Sequence, residues 1–335
     1  MSTYLTTRCH GLMTHLLSDE ILDALSATKS SQEIKDILTP TDYGRHFREQ
    51  DKGVDFSFED IYSKVLVERY NFLSKVSTDD IREFLISFQR KFEIQNIIRI
   101  LRSKIIKTTN QPFDDILYPI TDFTKINFDA IGEAESLEDA IAALRNTPYR
   151  RVKESIDWYN KYDSLLPIEF GLRKIYYNML FENLKRIPSG DRKNVDQLIR
   201  TEVDIANCFT CSAASVFDYD EELIESLLIP YTSKISMHTL RSVIRIDSEH
   251  EILTLLSPYY EVIKNLLAKE ETMAQTEALR FLRNKIIKQK ILESMNFTYV
   301  LCYLYLCEFE LRDLTFITLA VQHNVKPDDY LIYKK

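Results

Sequence analysis

The 335-residue chain resembles itself at a nearly constant interval, which implies a repeated structural unit before any single residue is interpreted. Three segments share a start, a length and an ending: Ser30–Tyr43, Ser136–Tyr149 and Asp247–Tyr260. Each reads as an N-cap residue, a two-turn helix and a proline turn closed by an aromatic, Tyr43, Tyr149 or Tyr260. Ser30 with Glu33 makes a capping-box pattern, Ser136 with Asp139 nearly repeats it, and the third copy keeps only its cap, Asp247. The closing tyrosines lie 106 and 111 residues apart.

A second, independent marker recurs further along each copy. It is an acid followed three residues later by an amide or another acid, set in an apolar stretch: Glu93 with Asn96, Asp204 with Asn207, and Glu310 with Asp313. The acids are separated by 111 and 106 residues, so both markers give the same repeat length. Around Glu93 the residues Phe84, Phe88, Phe92, Ile97, Leu101 and Ile105 trace a helical apolar stripe. At i and i+3 the two polar groups share a helix face beside it. Two roles are open for them: a hydrogen bond that caps or joins neighbouring copies, or the polar lining of a shared inner surface.

Composition agrees with an all-α chain. Only 6 residues are glycine, against about 7% in average proteins, so left-handed turns and glycine-rich ligand loops are scarce. Helices are expected over Phe56–Ser77, Ile168–Arg186, Tyr259–Ala268 and Met273–Leu292, with the acidic Glu270 and Glu271 separating the last two. Tyr299–Cys307 runs without a break into the Glu310 helix. Breaks fall at Gln111 and Pro112, at Pro188–Asp191 and at Ile229–Tyr231. Three successive helical repeats follow, residues 1–110, 111–217 and 218–335, with elements free to exchange between neighbours.

With 43 basic against 51 acidic residues, the formal charge of −8 opposes a broad phosphate-binding face, and nucleic acid is not expected as a partner. A local basic run, Arg280, Arg283, Lys285, Lys288 and Lys290, reads either as a solvated helix face or as a patch for an acidic partner. Five scattered cysteines and no cleavable apolar leader point to a reducing compartment without disulfides. The longest apolar run, Tyr299–Cys307, is far short of the roughly 20 residues that span a bilayer. The glycosylation-like triplet Asn296–Thr298 is read as accidental.

No residue nominates itself for catalysis. The chain has no phosphate loop, no zinc helix of the His-Glu-x-x-His type, no dinucleotide fingerprint and no Gly-x-Ser-x-Gly elbow. Cys208 and Cys211 form the one Cys-x-x-Cys, but no second ligand pair stands at metal spacing, so burial in a helix is expected. Neither catalytic residues, metal nor cofactor is assigned.

Taken in order, the motifs resemble those of the C subunit of archaeal and bacterial A/V-type ATP synthases, which is related to the d subunit of the vacuolar ATPase. They are Tyr4 and Arg8 leading into Leu16–Ser18, the Thr39–Gly44 turn, Phe92–Lys104, Asn146–Tyr149, Glu202–Asn207 and Glu308–Leu314. Two departures stand out. Asp313 occupies a position where Asn is usual, and Cys208–Ala213 lacks the continuation that the first copy keeps at Leu101 and Arg102. The resemblance implies a funnel of three helical bundles around a pseudo-threefold axis, without a nucleotide site. It would sit peripherally at the cytoplasmic membrane face, between the membrane rotor ring and the central shaft, and pass torque between proton or sodium flow and ATP chemistry. The alternatives are a helical adaptor unrelated to ATPases and an enzyme whose site is assembled from distant residues.

Overall fold

The computed structural model describes residues 2–50, 57–106, 117–120, 123–217, 219–246 and 248–334. Among them helix is the only regular secondary structure besides short 3-10 turns. In chain order the α-helices are α1 (Ser2–Met13), α2 (Asp19–Ser26), α3 (Ser31–Leu38), α4 (Gly44–Gln50), α5 (Phe58–Lys75), α6 (Asp79–Ile106), α7 (Phe128–Glu133), α8 (Leu137–Ala142) and α9 (Ile156–Tyr162). They continue as α10 (Leu166–Leu184), α11 (Ser189–Phe217), α12 (Glu221–Leu227), α13 (Met237–Val243), α14 (Glu249–Leu255), α15 (Tyr260–Leu267), α16 (Glu271–Leu292) and α17 (Phe297–His323). The expected breaks at Gln111 and Pro112, the start at Phe56 and the cap at Asp247 lie outside the described residues.

Local chemistry places most of the boundaries. Ser57 and Asp60 form a reciprocal capping box that starts α5, two residues after the expected point. Pro167 occupies the first turn of α10, where a missing N–H costs nothing. Acidic Glu270 and Glu271 do not extend the break before α16. Lys269 supplies the left-handed residue (φ 61°), and Glu271 sits in the first turn, where the helix dipole favours an anion. Asn296 caps α17 through the Thr298 N–H, and Thr298 is fully buried, which gives the Asn296–Thr298 triplet a structural reason to exist.

By packing, the chain divides into two compact units, Met1–Thr78 with Gln275–Lys335, and Asp79–Ala274. In the first, α17 lies against both α1 and α5, and α2 and α3 close over it. Its core is built by Leu25, Ile34, Tyr43, Tyr62, Leu314 and Leu331, so both chain ends contribute. In the second, α10 packs along α6, and α11 carries α12, α13 and α15. The three long helices, α6, α11 and α17, have 28, 29 and 27 residues, roughly 40 Å each at 1.5 Å per residue. Within the first unit α5 packs on the long helix α17, and within the second α10 packs on the long helix α6.

Gly44 is fixed by space. A Cβ there would lie 1.8 Å from the Thr39 carbonyl oxygen, a backbone atom that cannot swing away, where α4 begins directly after the turn that follows α3. Gly44→Ala is expected to destabilise the protein by about 2 kcal/mol or more through overpacking, read as a lowered melting temperature by circular dichroism. Gly11→Ala has open space at its Cβ and should leave the midpoint unchanged or raise it slightly. Equal midpoints for the two variants would contradict the close approach.

Candidate functional site

The three polar pairs found by spacing all lie on the long helices: Glu93 and Asn96 on α6, Asp204 and Asn207 on α11, Glu310 and Asp313 on α17. All six side chains are buried, with Asn96, Asp204 and Asn207 at 0% exposure. An unpaired buried carboxylate or amide is costly, so the partners decide what each pair does.

In every copy the acid accepts a tyrosine hydroxyl. Tyr149 donates to Glu93 at 2.6 Å, Tyr259 to Asp204 at 2.9 Å, and Tyr43 to Glu310 at 2.6 Å. Two of these tyrosines are the expected ones. In the third copy the neighbouring residue takes the place: Tyr259 is 2% exposed, whereas Tyr260 is 46% exposed on the first turn of α15. The cap of that copy is Ser248, which receives the Glu251 N–H, and it occupies the role read for Asp247. A tyrosine beside a proline at Ser257–Tyr260 leaves two registers open in the sequence, and packing chooses the one that buries the hydroxyl next to a carboxylate.

The residue three positions on clamps a segment further along the chain. Asn96 donates to the Tyr118 carbonyl at 3.0 Å and accepts its N–H at 2.9 Å. Asn207 does the same with Ile229, at 2.9 Å for both bonds. Tyr118 and Ile229 are each followed by a proline, Pro119 and Pro230, which has no N–H to offer. The clamp must therefore take the N–H and C=O of a single residue, and an amide, with one donor and one acceptor group, satisfies both. Asp313 meets a different backbone. It accepts from two successive N–H groups, Ile332 at 2.5 Å and Tyr333 at 3.2 Å. No proline follows Ile332, and a carboxylate, an acceptor only, matches two donors. The departure from Asn at Asp313 thus has a local cause.

The three acids differ in their remaining partners. Asp204 also takes the Ser233 and Lys234 N–H groups at 2.8 and 2.7 Å. Glu93 lies 3.7 Å from Arg90. Glu310 receives the Leu17 N–H at 2.5 Å and the Arg69 guanidinium at 2.7 Å, and Arg69 reaches on to Asp42, which His15 also contacts at 2.9 Å. Burial pulls the Arg69 pKa down, but Glu310, Tyr43, Cys307 and Tyr303 together outweigh it and the net direction is well up. Burial likewise raises Asp42, and the His15 and Arg69 contacts more than reverse it. Burial, reinforced by the adjacent carboxylates, raises the Tyr43, Tyr149 and Tyr259 hydroxyls, so they remain donors. In the second unit Arg102 grips Glu169 through two bonds of 2.7 and 2.8 Å, joining α6 to α10.

The remaining candidates are quiet. Cys208 and Cys211 are buried on α11, and desolvation raises both thiols, Cys211 to about 12. Among the described residues no group of three His, Cys, Asp or Glu side chains is placed to hold a metal ion. No helix among them is long and apolar enough to cross a membrane. Arg69, Tyr259, Ser248 and Glu169 escaped the sequence reading. Arg69 carries no local signal, because its partner lies 241 residues away.

Removing a hydroxyl orders the three anchors. Tyr149→Phe leaves Glu93 with only the distant Arg90, whereas Tyr259→Phe leaves Asp204 its two backbone donors. A loss of about 2 kcal/mol is expected for Tyr149→Phe and nearer 1 kcal/mol for Tyr259→Phe, measured by urea unfolding. Glu310→Gln removes the nearer counter-charge of buried Arg69, leaving it Asp42 at 3.3 Å, and is expected to cost about 3 kcal/mol. The reverse order among the three would contradict these partner assignments.

Asp313 adds a pH signature. Burial pushes its pKa up to about 7 against the two N–H bonds and nearby Arg283 and Arg280. The folded-state value lies above the ordinary value of about 4, so the folded form binds the proton more tightly. Stability from this group is full below about pH 4 and is lost as pH rises towards 7, at about 1.4 kcal/mol per pKa unit. Wild type should therefore lose stability relative to Asp313→Asn between pH 4.5 and about 7 and hold a constant difference above it. A pH-independent difference in urea midpoints would remove the titration.

Comparison with known proteins places this geometry. The family described as ATP synthase (C/AC39) subunit matches residues 5–331. The chain is 24% identical over 301 residues to the C subunit of the A-type ATP synthase of Methanococcoides burtonii, covering 89% of this chain and 81% of that protein. It is 22% identical over 343 residues to the protein of the same name from Pyrococcus furiosus, covering 97% and 88%. With the one from Methanosphaera stadtmanae it shares 26% identity over 207 residues, 61% of this chain and 52% of that relative. A match from residue 5 to residue 331 takes in all six paired polar residues and their three tyrosines, and the chain belongs to the ATP synthase (C/AC39) subunit family.

Proposed function

We propose that the chain is a non-catalytic central-stalk subunit of a rotary A/V-type ATP synthase, coupling the membrane rotor ring to the central shaft so that proton or sodium transport drives ATP synthesis. The observation that carries this reading is the threefold recurrence of one buried anchor, an acid and a polar residue on a long helix holding a tyrosine and a downstream backbone segment. In this reading three similar units, set around a pseudo-threefold axis, form a funnel that receives the shaft. The six polar residues act as contacts between successive segments, not as an exposed lining.

Torque transfer needs stiffness and contact area in place of reactive groups. Long helices bonded at mid-length to the segments that follow them supply stiffness, because a bend in the helix strains buried hydrogen bonds that water cannot replace. Membership of an ATP synthase family over nearly the whole chain supports this reading over a helical adaptor. By the same reading the protein sits peripherally on the cytoplasmic membrane face, with rotor-ring and central-shaft subunits as its partners.

The test is isolation of the tagged chain from its own membranes in mild detergent, followed by identification of what accompanies it. Rotor-ring and central-shaft subunits in fixed proportion are the expected result; a monomer, or an unrelated partner while the ATP synthase is intact elsewhere, would overturn it. Membranes from cells lacking the chain are expected to retain ATP hydrolysis by the catalytic head while losing ATP-driven ion pumping. Undiminished pumping would exclude a coupling role.

A further inference from the structure

The most exposed large apolar side chains in the described chain sit together at one turn. Ile291, Leu292 and Met295 are 70%, 74% and 78% exposed at the tip joining α16 to α17. The turns that precede the other two long helices show nothing similar. At Val76–Thr78 the valine is half-buried, and at Lys185–Pro188 the one large apolar residue, Ile187, is fully buried. The tip that departs from its two counterparts is also held firmly. On α1, Thr6 donates to the Asn296 carbonyl at 3.3 Å, and His10 meets the Ser294 carbonyl at 2.8 Å while stacking on Tyr299 with centroids 4.2 Å apart. Three apolar side chains are thus presented to solvent on a braced turn, where their exposure is unfavourable without a partner.

Charge identifies the partner. The chain as a whole is at −8, yet between Glu277 and Glu293 it carries Arg280, Arg283, Lys285, Lys288 and Lys290 and no acid. Arg280 and Arg283 are engaged away from the tip, with the Leu331 carbonyl and Asp19. Lys288 and Lys290 lie within a turn of Ile291, with Lys288 exposed. The adjoining α1 has no acidic residue and exposes Tyr4, Arg8 and His10. At the tip Glu293 is the one acid, and the Asn296 amide binds it.

We infer that the α16–α17 tip, braced by α1, is a membrane-surface contact that inserts Ile291, Leu292 and Met295 among the headgroups of an anionic bilayer. A protein partner fits less well, because three side chains on a turn cannot cover the roughly 800 Å² per side of a stable protein interface. A bilayer needs no complementary shape. Lysine stems lie along the apolar layer while their ammonium groups stay at phosphate level. Anionic headgroups match the local positive charge and make the contact sensitive to salt. The inference uses only the isolated chain, so it can fail while the central-stalk reading stands.

The experiment is co-sedimentation of the full chain with vesicles of phosphatidylcholine alone and of phosphatidylcholine with phosphatidylglycerol in equal parts. Binding to the anionic vesicles is expected to exceed binding to the neutral ones at least tenfold at low salt. The triple variant Ile291→Gln, Leu292→Gln, Met295→Gln should lose at least tenfold with its helix content and melting temperature unchanged, and Lys288→Gln with Lys290→Gln should remove most of the salt dependence. Independently, Met295→Cys carrying an environment-sensitive fluorophore should shift its emission to the blue on anionic vesicles. Equal binding to both lipids, an unaffected triple variant or an unshifted probe would overturn the inference. Wild-type binding only to membranes that contain the synthase membrane sector would also overturn it and assign the tip to a protein partner.

Discussion

Glu310 joins the two ends of the chain. Its carboxylate is 5% exposed on α17 and takes three donors, the Tyr43 hydroxyl, the Arg69 guanidinium and the Leu17 N–H, all from the N-terminal part of the chain. A buried charge is tolerable only with partners of this kind, and here they come from elements more than 240 residues away. The first compact unit has to include both termini as a result. Its core, with Tyr43 and Tyr62 against Leu314 and Leu331, packs around that pair.

The same contact in the other two copies is local in sequence. Glu93 reaches Tyr149 over 56 residues and Asp204 reaches Tyr259 over 55. In these two copies the bond runs from a long helix to a tyrosine that follows it in sequence. Tyr43 instead precedes its acid, and α17 supplies the carboxylate from much later in the chain. The copy closed by distant partners also has the tightest guanidinium contact, Arg69 at 2.7 Å from Glu310 against 3.7 Å from Arg90 to Glu93. Closing a contact over this separation costs more chain entropy than closing one over 55 residues, and an additional buried ion pair opposes that cost.

Backbone chemistry accounts for the variation among the clamps. Where proline follows the clamped residue, as at Tyr118 and Ile229, the clamp is asparagine; where it does not, as at Ile332, the clamp is aspartate. A difference that looks like divergence in sequence is a match between side-chain donors and the N–H groups on offer. The six residues are thereby committed to internal bonds. Surfaces free to meet partners must be sought elsewhere, as at the apolar turn between α16 and α17, which has no counterpart in the turns before α6 and α11.

Much of the architecture was legible in the residues. Helical periodicity and scarce glycine gave an all-α chain, and the spacing of Glu93, Asp204 and Glu310 located the long helices, because i, i+3 pairing and apolar periodicity are local properties. Tyr43 and Tyr149 were legible for the same reason. Tyr259 was not, since adjacent tyrosines after Pro258 are equivalent until one of them is buried against Asp204. Arg69 was not legible either, being one arginine among many until α5 packs on α17. The sequence by itself determined which positions repeat and which helices form, through capping, periodicity and spacing. Tertiary structure alone decided which acid meets which tyrosine, because those bonds join segments whose proximity is set by packing, and no local pattern encodes it.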